Sequence, residues 1–303
     1  MMTDIAADFS VFDVFPWDPI IDVLTHMLVL HRCCHSSFLQ NMMVVSSTAV
    51  KSIVGMNSGR DGHPCIISVI VKAINANCEN ESLVLSVCGL LANVALHKNG
   101  KIALSNAGTA KTLHGILKSS KHADIVQAAM SALYHLVSNN NLLNEDLIKD
   151  GYVATIIAAI HVFRNPGIAN VSFGLLKELA TLKEDMAKEV KNSGAITLAI
   201  DAIQNHSDIP ELHGNVFSLL EITVSAENKQ LHVKIAKRIL ESMQKHPEEE
   251  ILQSDGCRVL ASLQKNRALK TLLRTGFGKK ILVLARSVFP DVCGGIIDQL
   301  LRD

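Results

Sequence analysis

Three places in the chain bring together residue types that could do chemistry. His31, Cys34 and His35 would share one helical face and carry the nitrogen and sulfur donors that zinc prefers. Gly276-Phe277-Gly278-Lys279-Lys280 has the glycines and lysines of a phosphate-cradling loop. Glu178 and Glu221 could pair as carboxylates, and they stand 221 − 178 = 43 residues apart. None of the three is a complete site. The histidine–cysteine set lacks a fourth ligand, which leaves a packed or solvated helix face. The glycine–lysine run lacks the P-loop spacing and its Ser/Thr, and no predicted strand precedes it, so it reads as a turn. The two glutamates, on neighbouring packed helices, would be about 10 Å apart, which suits the wall of an acidic groove better than a catalytic pair. No HExxH, GxSxG or kinase-type motif occurs. No catalytic residue, metal site or cofactor is expected, and the chain reads as non-enzymatic.

The elements that hold these residues come from an internal repeat. Gly108, Gly151 and Gly194 are separated by 43 and 43 residues, and each is followed by an apolar helix, a polar break and a longer apolar helix. The ends of the long helices align as LLANVAL, ALYHLVS, LLKELAT, LLEITVS and ASLQKNR. This alignment places Asn93, His135, Glu178, Glu221 and Gln264 in one column, at steps of 42, 43, 43 and 43. Two residues earlier the column reads Leu91, Leu133, Leu176, Leu219 and Ser262, the core-facing position.

Each copy is predicted to have the same parts. A short polar helix leads to the glycine, which ends it in a left-handed conformation. The next helix runs to a break where Asp124 and Asp208 are expected as N-caps, with Pro166 and Pro210 in the first turn, where no backbone donor is lost. The copy after Lys237 departs, because lysine stands where the glycine is expected and the break is the acidic HPEEE. The boundaries predicted are 20–63, 64–107, 108–150, 151–193, 194–236, 237–275 and 276–303, the first and last degenerate. The first comprises a helix from Ile20 and another over 37–54, followed by a surface loop between Gly55 and His63.

Residues 1–19 differ from the rest. They hold Asp4, Asp8, Asp13 and Asp18 with Phe9, Phe12, Phe15 and Trp17, no basic residue, and Pro16 and Pro19. An extended segment is expected, covering the end of the first repeat, acting as a short docking motif, or standing as the remnant of a domain boundary.

Composition agrees with stacked helices. The chain is 48% hydrophobic with only 4% aromatic residues, so Leu, Ile, Val and Ala must build the core. Twenty-nine basic residues balance 29 acidic ones, which denies the chain the broad positive field of a nucleic-acid binder. No apolar run approaches a membrane span of roughly 20 residues. The seven cysteines follow no regular framework and read as reduced core thiols, which places the chain inside the cell, in the cytoplasm rather than the nucleus. A repeat array also escapes the usual domain size limit, so one continuous domain is expected over 20–303.

The period near 42, three helices per unit and the apolar-x-x-x-Gly-apolar pattern before Gly108, Gly151 and Gly194 resemble the armadillo repeat. HEAT repeats are the near alternative, with two helices and without this glycine. The resemblance implies an all-α, right-handed α-solenoid of about six to seven repeats whose third helices line a concave groove. In armadillo proteins that hold extended peptides, the column of Asn93 is an asparagine ladder, often with tryptophans one turn earlier. Here only Asn93 is kept, and one turn earlier stand Gly89, Ser131, Gly174, Phe217 and Leu260. The expectation is therefore a protein-binding scaffold using Asn93, His135, Glu178, Glu221, Gln264 and Phe217 to select a basic or polar segment of a partner protein, rather than an importin-type carrier. The alternative is a regulatory or targeting module of a larger, for example kinase-like, protein.

Overall fold

The computed structural model describes residues 66–139, 151–224, 229–263 and 267–302. The first predicted repeat, the segment 1–19, the set His31, Cys34 and His35, and Gln264 lie outside the described residues. All regular structure among the described residues is α-helical. The chain divides into two compact units, 1–159 and 160–303.

The first unit contains α1 (Ile66–Ala76), α2 (Glu81–Ala95), α3 (Lys98–Asn106), α4 (Thr109–Ser119), α5 (Ala123–Val137) and the start of α6 (Tyr152–Phe163). Asn80 caps α2, its side chain accepting from the Leu83 amide at 3.1 Å. Gly108 has φ +68° and separates α3 from α4, as the repeat pattern requires. Where Asp124 was expected as N-cap of α5, His122 holds that position and Asp124 sits in the first turn, facing the positive end of the helix. The long helices α2 and α5 pack on one another, and Leu91 and Leu133 on them are buried. On the other side of the repeat, His114 of α4 stacks on Tyr152 of α6 at 3.9 Å, and its Nε2 lies 2.9 Å from the Thr155 hydroxyl.

The second unit continues with α7 (Pro166–Leu182), α8 (Glu184–Asn192), α9 (Ala195–Asn205), α10 (Pro210–Thr223), α11 (Lys229–Lys245), α12 (Glu250–Leu263), α13 (Arg267–Arg274), α14 (Gly276–Val288) and α15 (Pro290–Leu301). Asn165 caps α7 through the Gly167 and Ile168 amides at 2.8 and 3.1 Å, and Pro166 occupies the first turn. Pro210 does the same for α10, but Ile209 rather than Asp208 is the N-cap. Asp208 is drawn aside into an ion pair with Lys245 at 2.6 Å. Gly194 ends α8 with φ +86° and opens α9. At position 237 no glycine is available, and α11 runs unbroken from Lys229 to Lys245. A helix that loses its left-handed stop simply propagates, because each further residue adds a hydrogen bond.

The long helices form the spine of this unit: α7 packs on α10, α10 on α12 and α12 on α15. Leu176 and Leu219 are buried in this stack, whereas Ser262, the polar member of that column, is exposed. Three helices per repeat, as in α8–α9–α10, match the armadillo expectation rather than the two-helix alternative.

Candidate functional site

The column of expected groove residues is carried by the long helices. Asn93 is half-buried on α2, and His135 is half-buried on α5. Desolvation lowers the His135 pKa, and the charge of Lys101 lowers it further. Lys101 itself donates to the Ser138 carbonyl, just past the C-terminal end of α5, where a cation is favoured by the helix dipole.

In the second unit the two glutamates do not present bare negative charge. Lys177 donates to Glu178 at 2.7 Å, and only 12% of the Glu178 side chain is exposed. Glu221 is 37% exposed and accepts from Arg258 Nε at 3.3 Å. Glu178 thus has a cation beside it and Glu221 shares Arg258, which reduces the acidic field expected of this face. Phe217 departs further from expectation, being buried completely in the core of α10. Four residues of helix turn the chain about 40° past a full circle. That rotation carries Phe217 from the flank of the exposed column into the interface with its neighbours.

A network absent from the sequence expectation surrounds the glutamates. Arg258 of α12 bonds to Asp255 and donates to Ser254 Oγ at 3.2 Å as well as to Glu221, while Ser218 of α10 donates to Asp255 at 3.1 Å. Asp255 is buried, which pushes its carboxyl above the ordinary range, and Arg258 and Ser218 act against that shift. One step along the stack, Asn215 of α10 donates to Asn170 of α7, at 2.7 Å to the side-chain oxygen and 3.3 Å to the backbone carbonyl. These bonds cross-link α7 to α10 and α10 to α12.

Aligning by repeat period shows how the network could have been found. Six residues before the expected column stand Val87, Ala129, Ser172, Asn215 and Arg258, again at steps of 42, 43, 43 and 43. Val87, Ala129 and Ser172 are buried, Asn215 is half-buried and Arg258 exposed. The position changes from core to polar surface along the array, a signal lost when only the last turn of each helix is compared.

Chemically, the face offers amide donors and acceptors, a guanidinium and partly neutralised carboxylates on regularly spaced helices. That set suits hydrogen bonding to a polar chain. A serine–histidine contact does occur between Ser242 Oγ and His213 Nδ1 at 2.6 Å, but both residues are buried, so no substrate reaches it. Among the described residues, no group of three or more His, Cys, Asp or Glu is placed to hold a metal ion. No helix among them is long and apolar enough to cross a membrane.

Of the cysteines, Cys88, Cys257 and Cys293 are buried thiols as expected, while Cys78 is exposed. Burial pushes the Cys88 thiol up to about 12, so it stays protonated and inert.

Solved structures similar to the chain share this architecture. One is an engineered protein matching at TM-score 0.64 and 16% identity, over 82% of this chain and 97% of its own. A second engineered protein matches at TM-score 0.62 and 14% identity, over 78% and 96%. A designed armadillo repeat protein matches at TM-score 0.61 and 13% identity, over 78% of this chain and 98% of its own. No protein-family model and no curated protein matches the sequence. The fold is an armadillo-like repeat fold, all-α and built of helical repeats.

Proposed function

We propose that the chain is a non-catalytic scaffold that holds a polar segment of a partner protein along the exposed face of α7, α10 and α12. The observation that carries this reading is two polar pairs bridging successive long helices, Asn170 with Asn215 at 2.7 Å and Glu221 with Arg258 at 3.3 Å. Side chains already fixed by neighbours lose little freedom on binding, which favours capture of an extended chain. Alternating charge on the face suits a polar or mixed-charge segment; a purely basic one would meet Lys177 and Arg258 as well as the glutamates.

The test is quantitative capture of partner proteins from cells with three chains: wild type, Asn215→Ala/Glu221→Lys, and Glu184→Lys. Glu184 lies on α8, away from this network, paired with Lys188 at 3.0 Å. The face variant should lose the proteins that wild type and Glu184→Lys both retain. Equal capture by all three chains, with unchanged helicity, would place binding elsewhere.

A further inference from the structure

A second surface of the second unit has the opposite character to the face of α7, α10 and α12. Between residues 267 and 302 the sequence carries seven Lys/Arg against two Asp, in a chain whose total charge is zero. Part of this excess is already used, since Arg286 pairs with Asp298 at 3.1 Å and Arg274 donates to the Leu300 carbonyl at 3.3 Å. Lys270, Lys279 and Lys280 are exposed, and no carboxylate among the described residues is paired with them.

The same surface is apolar along one line. Helix α14 buries Gly278, Ile281, Leu282 and Ala285 against its unit. Its flank leaves Phe277, Leu284 and Val288 exposed by 43%, 46% and 36%. Spaced seven and four residues apart, they form one stripe, and Lys280 falls between the first two on the same side. Phosphate-rich partners would leave this stripe in water. An apolar stripe set among unpaired lysines fits a partner that supplies both large apolar side chains and carboxylates.

The chain contains such a segment. Residues 1–19 hold four aspartates, no basic residue, and Phe9, Phe12, Phe15 and Trp17. Asp8, Asp13 and Asp18 recur every five residues, with aromatics between them. Extended, the stretch from 8 to 18 spans roughly 35 Å, whereas the 13 residues of α14 rise only about 20 Å. The segment is long enough to follow the stripe and still reach the lysines at either side.

We infer that the α13–α14 surface of one copy docks the acidic, aromatic segment 1–19 of a second copy, so that the chain self-associates. Phe and Trp side chains cover Phe277, Leu284 and Val288, while the aspartates meet Lys270, Lys279 and Lys280. The contact is separate from the face of α7, α10 and α12, so either can fail without the other.

Trp17 is the chain's one tryptophan and reports on this contact directly. Sedimentation of the full chain over a concentration series should show a mass rising above the 32.9 kDa monomer, with Trp17 emission shifting to the blue in parallel. Lys279→Glu/Lys280→Glu should weaken association about tenfold or more, and Asp8→Lys/Asp13→Lys should do the same, since each sets like charges against one another. Combining the two reversals should restore association, which separates loss of contact from loss of folding. A monomer at every concentration would overturn the inference, and so would a blue-shifted Trp17 in a chain that stays monomeric. Association unchanged by either reversal, or not restored by their combination, would overturn it as well.

Discussion

Single residues carry two of the sharpest consequences of the repeat. Gly194 has φ +86°, and a Cβ built there would meet nothing within 4 Å, so the cost of substitution is purely one of backbone conformation. Gly194→Val should lower stability by roughly 1–2 kcal/mol, and Gly194→Asn by less, because asparagine visits the left-handed region. Urea unfolding of the two variants tests the ordering; a valine variant as stable as wild type would contradict the left-handed turn. Ser172 presents the opposite case. It is buried on α7, and its hydroxyl has no hydrogen-bond partner, yet the residue one repeat earlier in the same column is Ala129. Ser172→Ala should raise stability by about 1 kcal/mol, since it removes a desolvated hydroxyl and improves helix propensity. A decrease in the urea midpoint would mean that the hydroxyl is satisfied in solution.

At the scale of elements, the breaks between helices matter as much as the helices. His213 of α10 secures one break, with Nε2 donating to the His206 carbonyl at 3.0 Å and Nδ1 accepting from Ser242 of α11 at 2.6 Å. This arrangement fits the neutral imidazole, and burial lowers the His213 pKa from 6.5 to about 4. The unfolded chain therefore binds more protons than the folded one between those values. Stability should fall as pH drops from about 6.5 to about 4, by up to roughly 3 kcal/mol from this one group. His213→Gln should flatten the fall across that window in urea titrations at several pH values, and an unchanged slope would assign it to other groups. The helices themselves were legible because a fixed period sets the glycines and the leucine column on one pattern, and Gly108, Gly151 and Gly194 all have positive φ. The caps were not, because Asp208 is an equally good partner for Lys245 at 2.6 Å. Local sequence cannot show a competitor 37 residues away. Phe217 was misplaced for a related reason: helical spacing gives the side of a helix but not how much of that side the next helix covers.

Across the whole molecule, zero net charge conceals an uneven distribution, with four aspartates in the first 19 residues and a basic excess after 267. Composition alone excluded a broad basic field but was silent on this asymmetry, just as it was silent on whether Glu178 and Glu221 keep their charge unpaired. The division into two units, at 159 and 160, bears on how the molecule unfolds. In a helical-repeat array stability is a sum of repeat and nearest-neighbour contributions, so damage should stay where it is made. Phe217 is fully buried on α10, in the middle of the second unit. Phe217→Ala should cost about 3–5 kcal/mol through the cavity it leaves. Hydrogen exchange should then show lost protection first in α7, α10 and α12, the helices stacked around that position, while α2 and α5 keep theirs. If the protection of α2 and α5 fell in step with that of α10, the two units would unfold as one cooperative body, and a binding event on the face of α7, α10 and α12 would stabilise the entire chain rather than its own half.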